Sequence, residues 1–185
     1  NVTDTHSHLY DTAFDADREE ALARAAAAGV EHLLLPGIDS ESHGALFDLC
    51  RRHPGQCVPM MGLHPTSVND NPHWREELAL AERYLTAPPE GIARFCAVGE
   101  IGLDYHYEGY DRDVQIRLFR EQLDLAKQLD LPVIIHARDC TEDYVNILRE
   151  MRPRGVVHCF FRQCRDRQRG TETGNVHRFH RRADL

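Results

Sequence analysis

Two histidines lie one residue apart close to the start of the chain, in the stretch "DTHSHLYDTAFD". If the segment from Val2 to His8 is an extended strand, His6 and His8 project from the same face, because the side chains of a strand alternate between its two faces. Two neutral imidazoles on one face are suitable ligands for one divalent metal ion. The same spacing also fits two unrelated polar side chains, so the pattern alone leaves both interpretations open.

Further residues with metal-binding side chains lie at the ends of short apolar segments. They are His64 in "GLHP", Glu100 in "VGEIGLDY", His136 in "IIHARD" and His158 in "VVHCF". Such segments, aliphatic and bounded by Gly or Pro, are typical of buried parallel strands. Because chemistry collects at the carboxyl ends of parallel strands, we expect these side chains to converge with the two N-terminal histidines. Imidazoles around a carboxylate favour one or two divalent ions.

Helical patterns alternate with these strands. The segment "DREEALARAAAAG" is rich in Ala, has acidic residues in its first turn and ends at Gly29. The segments "HWREELALAERYL" and "DVQIRLFREQLDLAKQLD" each carry an apolar stripe, and "TEDYVNILREMR" has Thr141 as a candidate cap. Six strands with intervening helices predict an α/β fold with a parallel sheet and right-handed crossovers.

The composition predicts one soluble globular domain, since 42% of the 185 residues are hydrophobic and 28% are charged. No apolar run approaches the roughly 20 residues needed to cross a bilayer, and we find no signal-peptide pattern. The six cysteines show no Cys-x-x-Cys spacing. We therefore expect reduced, mostly buried thiols in a cytoplasmic protein that does not contact a membrane.

The net charge of −8 is unevenly distributed along the chain. From Phe160 onward there are seven arginines and three acidic residues, a net charge of +4, so the preceding residues carry −12. An acidic body is not a general binder of duplex DNA, because it repels the phosphates. A substrate that contains phosphate would need a local positive centre, such as a bound metal ion.

The motifs, taken in order, resemble those of a known family. "DTHSHL", "GLHP", "VGEIGLDYHY", "QIRLFREQLDLAKQLDLPVIIHARD" and "GVVHCF" are similar to the signatures of the TatD family of metal-dependent deoxyribonucleases, within the amidohydrolase-like superfamily. The resemblance extends from Asp4 to Phe160. It implies an α/β fold of TIM-barrel type, incomplete here with about six strands, and metal-dependent hydrolysis of phosphodiester bonds in DNA.

The resemblance also implies roles for individual residues. The implied metal ligands are His6, His8, Glu100, His136 and His158. Glu100 would bridge two ions and be the catalytic carboxylate. Asp4 and Asp104 would position the ligands. The two divalent ions would be Zn, Mn or Mg, and together they would clamp the phosphate and activate a water molecule.

On the substrate side, the resemblance places His64 and Arg138 near the phosphate. A guanidinium group can bind a phosphate through two hydrogen bonds, although an ion pair with Asp139 is an equally good role for Arg138. The implied partner is DNA, as single strands or ends, and no obligate protein partner is indicated.

The chain departs from the family pattern after His158. The family continues with Phe, Ser and Gly and then two more strands, one of which ends in a metal-binding Asp. Here the sequence is "HCFFRQCRDRQRGTETGNVHRFHRRADL", dense in Arg and without strand or helix periodicity. We therefore expect a partial hydrolase barrel in residues 1–160 and a basic, disordered tail in 161–185, produced by truncation or a shifted reading frame. A basic arm that binds nucleic acid is the alternative.

These observations favour a TatD-type deoxyribonuclease whose activity is impaired in this chain, because the final Asp is missing. Two alternatives remain open. One is a related metallohydrolase that acts on another ester or amide, since one barrel supports several chemistries. The other is a non-catalytic remnant that still binds metal.

Overall fold

The structure is a computed structural model, and it describes residues 2–161 and 175–179. The strands are β1 (Val2–Asp4), β2 (Val30–Leu35), β3 (Cys57–Pro59), β4 (Val98–Asp104), β5 (Val133–Arg138), β6 (Gly155–Phe161) and β7 (Asn175–Phe179). The helices are α1 (Arg18–Ala27), α2 (Ser40–Arg52), α3 (Trp74–Thr86), α4 (Arg112–Gln128) and α5 (Thr141–Met151). Short 3-10 helices follow β1 and β3, at Thr12–Phe14 and Pro65–Val68.

The strands form two sheets, in the orders β1-β2-β3 and β4-β5-β6-β7. All neighbouring strands are parallel except β6 and β7. The sheets meet where Met61 forms a parallel bridge with Val98, and the Gly99 N–H donates to the Met61 carbonyl at 3.0 Å. The strands therefore follow their chain order across both sheets, which confirms the predicted α/β class with parallel strands.

The strand β7 differs from the expectation for the C-terminal region. We expect a disordered tail without a strand in residues 161–185, whereas Asn175–Phe179 pairs antiparallel with β6. An edge strand presents unpaired N–H and C=O groups, and a following segment can satisfy them without a strong apolar pattern of its own. The other residues of the predicted tail, 162–174 and 180–185, lie outside the described residues, so its proposed origin stays a prediction.

The core lies between the strands and the helices that cover them. Helix α1 contacts β2, α2 contacts β3, α4 contacts β4 and α5 contacts β5. The side chains exposed by no more than 1% include Leu35, Leu46, Met61, Ile101, Phe119 and Ile135. The predicted stripe of α4, which includes Gln122, is buried as far as Ala126, and Gln115 is buried with it.

Gly102 allows β4 to approach β5 closely beside one of the predicted ligands. Its φ is +144°, and a side chain there would collide with the carbonyl oxygen of His136. Only glycine adopts this conformation without strain and leaves room for the neighbouring strand. The backbone of His136 is therefore held directly against β4.

Two further expectations concern the membrane and the thiols. Within the described residues, no helix combines the length and the apolar character that a bilayer crossing requires. Cys50, Cys57 and Cys140 are buried free thiols, and Cys96 is a partly buried one. Burial raises the pKa of the Cys57 thiol to about 11, so it stays protonated at neutral pH.

Candidate metal centre

The first two histidines lie in the turn that leaves β1, not on the strand itself. Strand β1 ends at Asp4, and the Asp4 carboxylate accepts the His6 N–H at 3.0 Å. Strand β1 is therefore shorter than the extended segment from Val2 to His8 that the spacing suggests. The Ser7 N–H donates to the Leu34 carbonyl at 3.1 Å, which holds the turn against β2. The two imidazoles still converge, with their Nε2 atoms 3.0 Å apart.

The Glu100 carboxylate lies at the centre of the site and is only 2% exposed. Its Oε2 atom lies 3.4 Å from His6 Nε2, 3.6 Å from His8 Nε2 and 3.9 Å from His64 Nε2. Glu100 is the third residue of β4, not its last residue as predicted. One carboxylate oxygen thus faces imidazoles from the segments that follow β1 and β3.

The second oxygen of Glu100 faces the neighbouring strands β5 and β6. Its Oε1 atom lies 3.1 Å from His136 Nδ1 and 3.9 Å from His158 Nε2. His136 and His158 are partners in the register of β5 and β6, which places them side by side. The His158 ring also stacks on the His6 ring, with centroids 3.6 Å apart and planes at 8°. The turn after β1 and strand β6 therefore meet at the site.

Asp104, at the end of β4, holds His136 from the side away from Glu100. Its Oδ2 atom lies 2.7 Å from His136 Nε2, and its Oδ1 atom accepts the His106 N–H at 3.0 Å. Asp104 is 1% exposed. The second nitrogen of His136, Nδ1, is thereby directed at Glu100.

The charges of the site follow from burial and from these contacts. Burial opposes the ionised form of Glu100, but hydrogen bonds with His136, His6 and His8 outweigh it, so the pKa of Glu100 is well below its usual value. Burial likewise opposes a charged His136, but the two carboxylates raise its pKa to about 9. Burial lowers the pKa of His64 and of His158 to about 4. These two imidazoles are neutral at pH 7 and keep a lone pair for a ligand.

The donor atoms fit one or two divalent ions. Two ligand atoms at about 2.1 Å from one ion in tetrahedral geometry are about 3.4 Å apart, close to the distances from Glu100 to His6 and His8. His6, His8 and Glu100 form one group of three donors. His64, Glu100 and His136 form a second group, which shares the Glu100 carboxylate.

Arg138, the last residue of β5, lies next to the site. It is the register partner of Asp104, and its Cζ atom lies 5.6 Å from the centroid of the Tyr107 ring. The Asp139 carboxylate lies 3.0 Å from His106 Nδ1. The contacts of Arg138 and Asp139 thus run to different neighbours, and the role of Arg138 towards phosphate stays a prediction.

Sequence reasoning did not assign a role to Tyr10. Its hydroxyl lies 2.9 Å from Nδ1 of His8 and donates to the Pro36 carbonyl at 2.6 Å. Tyr10 is 6% exposed. The available signal was its spacing, since an aromatic hydroxyl two residues after a candidate ligand can reach the ring of that ligand.

Two buried glutamines of α4 were also missed as positioning residues. The Gln122 amide accepts the Leu63 N–H at 2.7 Å and donates to the Leu63 carbonyl at 3.0 Å, directly before His64. The Gln115 amide makes the same pair of contacts with the backbone of Asp104, at 2.8 and 2.9 Å. The available signal was two amides in an otherwise apolar stripe, since a buried amide needs polar partners.

Comparisons with known proteins agree with the motifs. A sequence profile of the family described as TatD related DNase matches residues 3–177. The chain is 35% identical over 164 residues to the "Uncharacterized metal-dependent hydrolase YabD" of Bacillus subtilis (strain 168), covering 85% of this chain and 60% of that protein. It is 34% identical over 156 residues to the "3'-5' ssDNA/RNA exonuclease TatD" of Erwinia tasmaniensis, covering 83% of this chain and 58% of that protein. The chain thus spans less than two thirds of the length of these relatives.

The fold is similar to that of a solved relative. The crystal structure of YJJV, a TatD homolog from Escherichia coli K12, has a TM-score of 0.70 and 32% sequence identity, covering 80% of this chain and 55% of that one. This likeness confirms the predicted fold type. Because the family profile matches residues 3–177 and the relatives are 32–35% identical, the chain belongs to the family of TatD related DNases.

Proposed function

We propose that the protein hydrolyses phosphodiester bonds in DNA, with single strands or their ends as substrate and two divalent metal ions as cofactors. The observation that carries the proposal is one buried carboxylate, Glu100, with imidazole nitrogens of five histidines within 3.9 Å of its oxygens. Those histidines are His6, His8, His64, His136 and His158. The Erwinia tasmaniensis relative is named a 3'-5' ssDNA/RNA exonuclease, which supports this substrate class.

The metal ions would be held on the two sides of the Glu100 carboxylate. His6 and His8 would bind the first ion, and His136, with His158 beside it, the second. Bound divalent ions supply Lewis acidity towards a phosphate and lower the pKa of a coordinated water molecule. Mixed imidazole and carboxylate donors favour Zn or Mn over Mg, although availability also decides the metal.

The other residues of the site orient a metal ligand or bind the substrate. Asp104 fixes the ring of His136 through the 2.7 Å contact, so that Nδ1 stays directed at Glu100. His64 would contact the substrate phosphate from beside Glu100, and Arg138 would bind the same phosphate through its guanidinium group. Because the chain carries a net charge of −8, the Arg138 guanidinium group and the metal site would draw the phosphate to one place on a repelling surface.

The test is incubation of the purified protein with end-labelled single-stranded DNA and Mg, Mn or Zn. We expect metal-dependent shortening of the strand, abolished by EDTA and by Glu100→Gln, which keeps the shape of the side chain and removes its charge. Glu90→Gln is the matched control, because Glu90 is an exposed residue outside the donor groups. Cleavage that survives both EDTA and Glu100→Gln would contradict the proposal.

A metallohydrolase that acts on another ester or amide is the second candidate. The observation that favours it is that the Bacillus subtilis relative is named a metal-dependent hydrolase, with no substrate specified. Turnover of small esters or amides without cleavage of DNA would support it. Stoichiometric metal binding without any turnover would support a non-catalytic metal-binding role.

A further inference from the structure

Exposed aromatic side chains lie close together beside the metal centre. In the part of the chain that the structure describes, the large apolar side chains with high exposure are Val2 at 56%, Tyr107 at 53% and Tyr110 at 36%. A single exposed tyrosine needs no explanation. Here, however, two of the three belong to one loop, residues 105–110, which begins where β4 ends.

Contacts at both ends hold this loop in place. The Tyr105 ring stacks on the Tyr110 ring, with centroids 4.6 Å apart and planes at 9°. The Tyr105 hydroxyl donates to Asp143 at 2.7 Å, and Asp143 also accepts two hydrogen bonds from Arg112, at 2.8 and 2.6 Å. The Tyr110 N–H reaches back to the Tyr107 carbonyl at 3.4 Å. The exposed Tyr107 thus belongs to a loop that is anchored on both sides.

The same loop is tied directly to residues of the metal centre. The His106 N–H donates to the Asp104 carboxylate at 3.0 Å, and the other oxygen of Asp104 holds His136. The Tyr105 N–H donates to the Arg138 carbonyl at 3.0 Å. The Arg138 guanidinium carbon lies 5.6 Å from the centroid of the Tyr107 ring, within the range of a cation–π contact. An aromatic ring and a cation are therefore paired at the ends of β4 and β5.

We propose that Tyr107 and Arg138 form a nucleotide-binding platform, in which the Tyr107 ring stacks on an unpaired base while Arg138 binds the adjacent phosphate. The inference rests on the proposed function and names the part of the substrate that this face of the site recognises. Stacking on aromatic rings and contact with cationic side chains are the two general means of binding single-stranded nucleic acids. Bases within a duplex are stacked on each other and do not offer a free face, so this platform selects single strands.

The charge of the protein favours binding through a platform of this kind. With a net charge of −8, long-range attraction of the phosphate backbone cannot supply the affinity. Stacking does not depend on net charge, and one guanidinium group adjacent to the ring is enough to hold one phosphate locally. Binding through this platform is therefore expected to depend weakly on salt.

The test is binding of a single-stranded oligonucleotide that contains 2-aminopurine, whose fluorescence reports stacking. Phosphorothioate linkages slow cleavage, and Mn is present throughout. We expect Tyr107→Ala to raise the Kd about 10-fold and to abolish the fluorescence change, and Tyr107→Phe to restore both, because Phe keeps the ring. Glu108→Ala, a change of an exposed residue in the same loop, is the control that should not weaken binding.

An oligonucleotide with abasic sites separates base contacts from phosphate contacts. Tyr107→Ala should leave the Kd for the abasic oligonucleotide unchanged. Arg138→Gln should weaken the binding of both oligonucleotides. An equal effect of Tyr107→Ala on the two oligonucleotides, or none on either, overturns the platform, as does absence of binding by the unaltered protein. Base-dependent binding without hydrolysis would support the platform and overturn the proposed function. Hydrolysis that Tyr107→Ala does not affect would support the proposed function and overturn the platform.

Discussion

Tyr10 and His8 are joined by a hydrogen bond of 2.9 Å between the tyrosine hydroxyl and Nδ1 of the imidazole. A carbonyl oxygen only accepts, so the Tyr10 proton is used in the 2.6 Å bond to Pro36. Nδ1 of His8 must therefore donate its proton to the tyrosine oxygen. In a neutral His8 the lone pair is then on Nε2, where it can accept from His6 Nε2 at 3.0 Å or bind a metal ion.

We expect Tyr10→Phe to weaken metal binding by about 10-fold or more, because His8 loses the partner that selects its tautomer. Calorimetric titration with Mn or Zn measures the affinity, and the nitrogen-15 NMR shifts of His8 report the tautomer. Tyr107→Phe is the control, since it also removes one hydroxyl group but from an exposed residue. An unchanged Kd together with unchanged His8 shifts would show that Tyr10 does not position this ligand.

We expect Glu100→Ala to reduce metal affinity more than His64→Ala. Glu100 belongs to both groups of donors, whereas His64 belongs to one and has its Nδ1 atom engaged by Thr66 at 2.7 Å. Metal titration of both variants decides the order, with circular dichroism to verify that each is folded. Equal losses of affinity would argue against Glu100 as the shared ligand.

Gln122→Leu should destabilise the fold although it adds an apolar side chain to an apolar stripe. The substitution leaves the buried N–H and C=O groups of Leu63 without hydrogen-bond partners. Each unsatisfied group lowers the free energy of unfolding by about 1–3 kcal/mol. Thermal and urea unfolding measure the free energy. Gln128→Leu, at the exposed last residue of α4, is the matched control. Similar unfolding free energies for the two variants would refute a role of Gln122 in holding the segment before His64.

His43 should make the stability of the fold sensitive to acid. It is 4% exposed, stacks on Phe47, and neither ring nitrogen has a hydrogen-bond partner among the described residues. Burial lowers the pKa of His43, against a weaker opposite effect of Glu77 and Asp39. The unfolded chain therefore binds a proton near pH 6.5 that the folded protein does not. The stability that the neutral His43 contributes is lost as the pH falls below about 6.5. The free energy of unfolding then decreases with a limiting slope of about 1.4 kcal/mol per pH unit.

Replacing His43 by Phe should flatten this dependence between pH 7 and pH 5. Urea unfolding at a series of pH values gives the free energy for each protein. His73→Gln is the control, since the His73 side chain is 77% exposed. Parallel pH profiles for His43→Phe and the unaltered protein would exclude His43 as the source.

Local patterns in the sequence were sufficient to predict the alternating fold and the convergence of most side chains of the candidate site. Helix α1 ends just before Gly29, whose φ is +85°, and the stripe of α4 is buried because its period matches the helix. The ligand-type residues could be placed together because parallel strands carry their carboxyl ends to one edge. That rule needs only the order of the elements, which short-range periodicity reveals.

Tertiary structure alone decided the contacts between residues far apart in the chain. The bond from Tyr10 to Pro36 and the amide clamp of Gln122 on Leu63 join segments that no local pattern connects. The position of Glu100 inside β4, and the pairing of β7 with β6, likewise depend on neighbouring strands. Periodicity reports which face of an element is buried, but the hydrogen-bond partner of a buried polar group is set by whatever element packs against it.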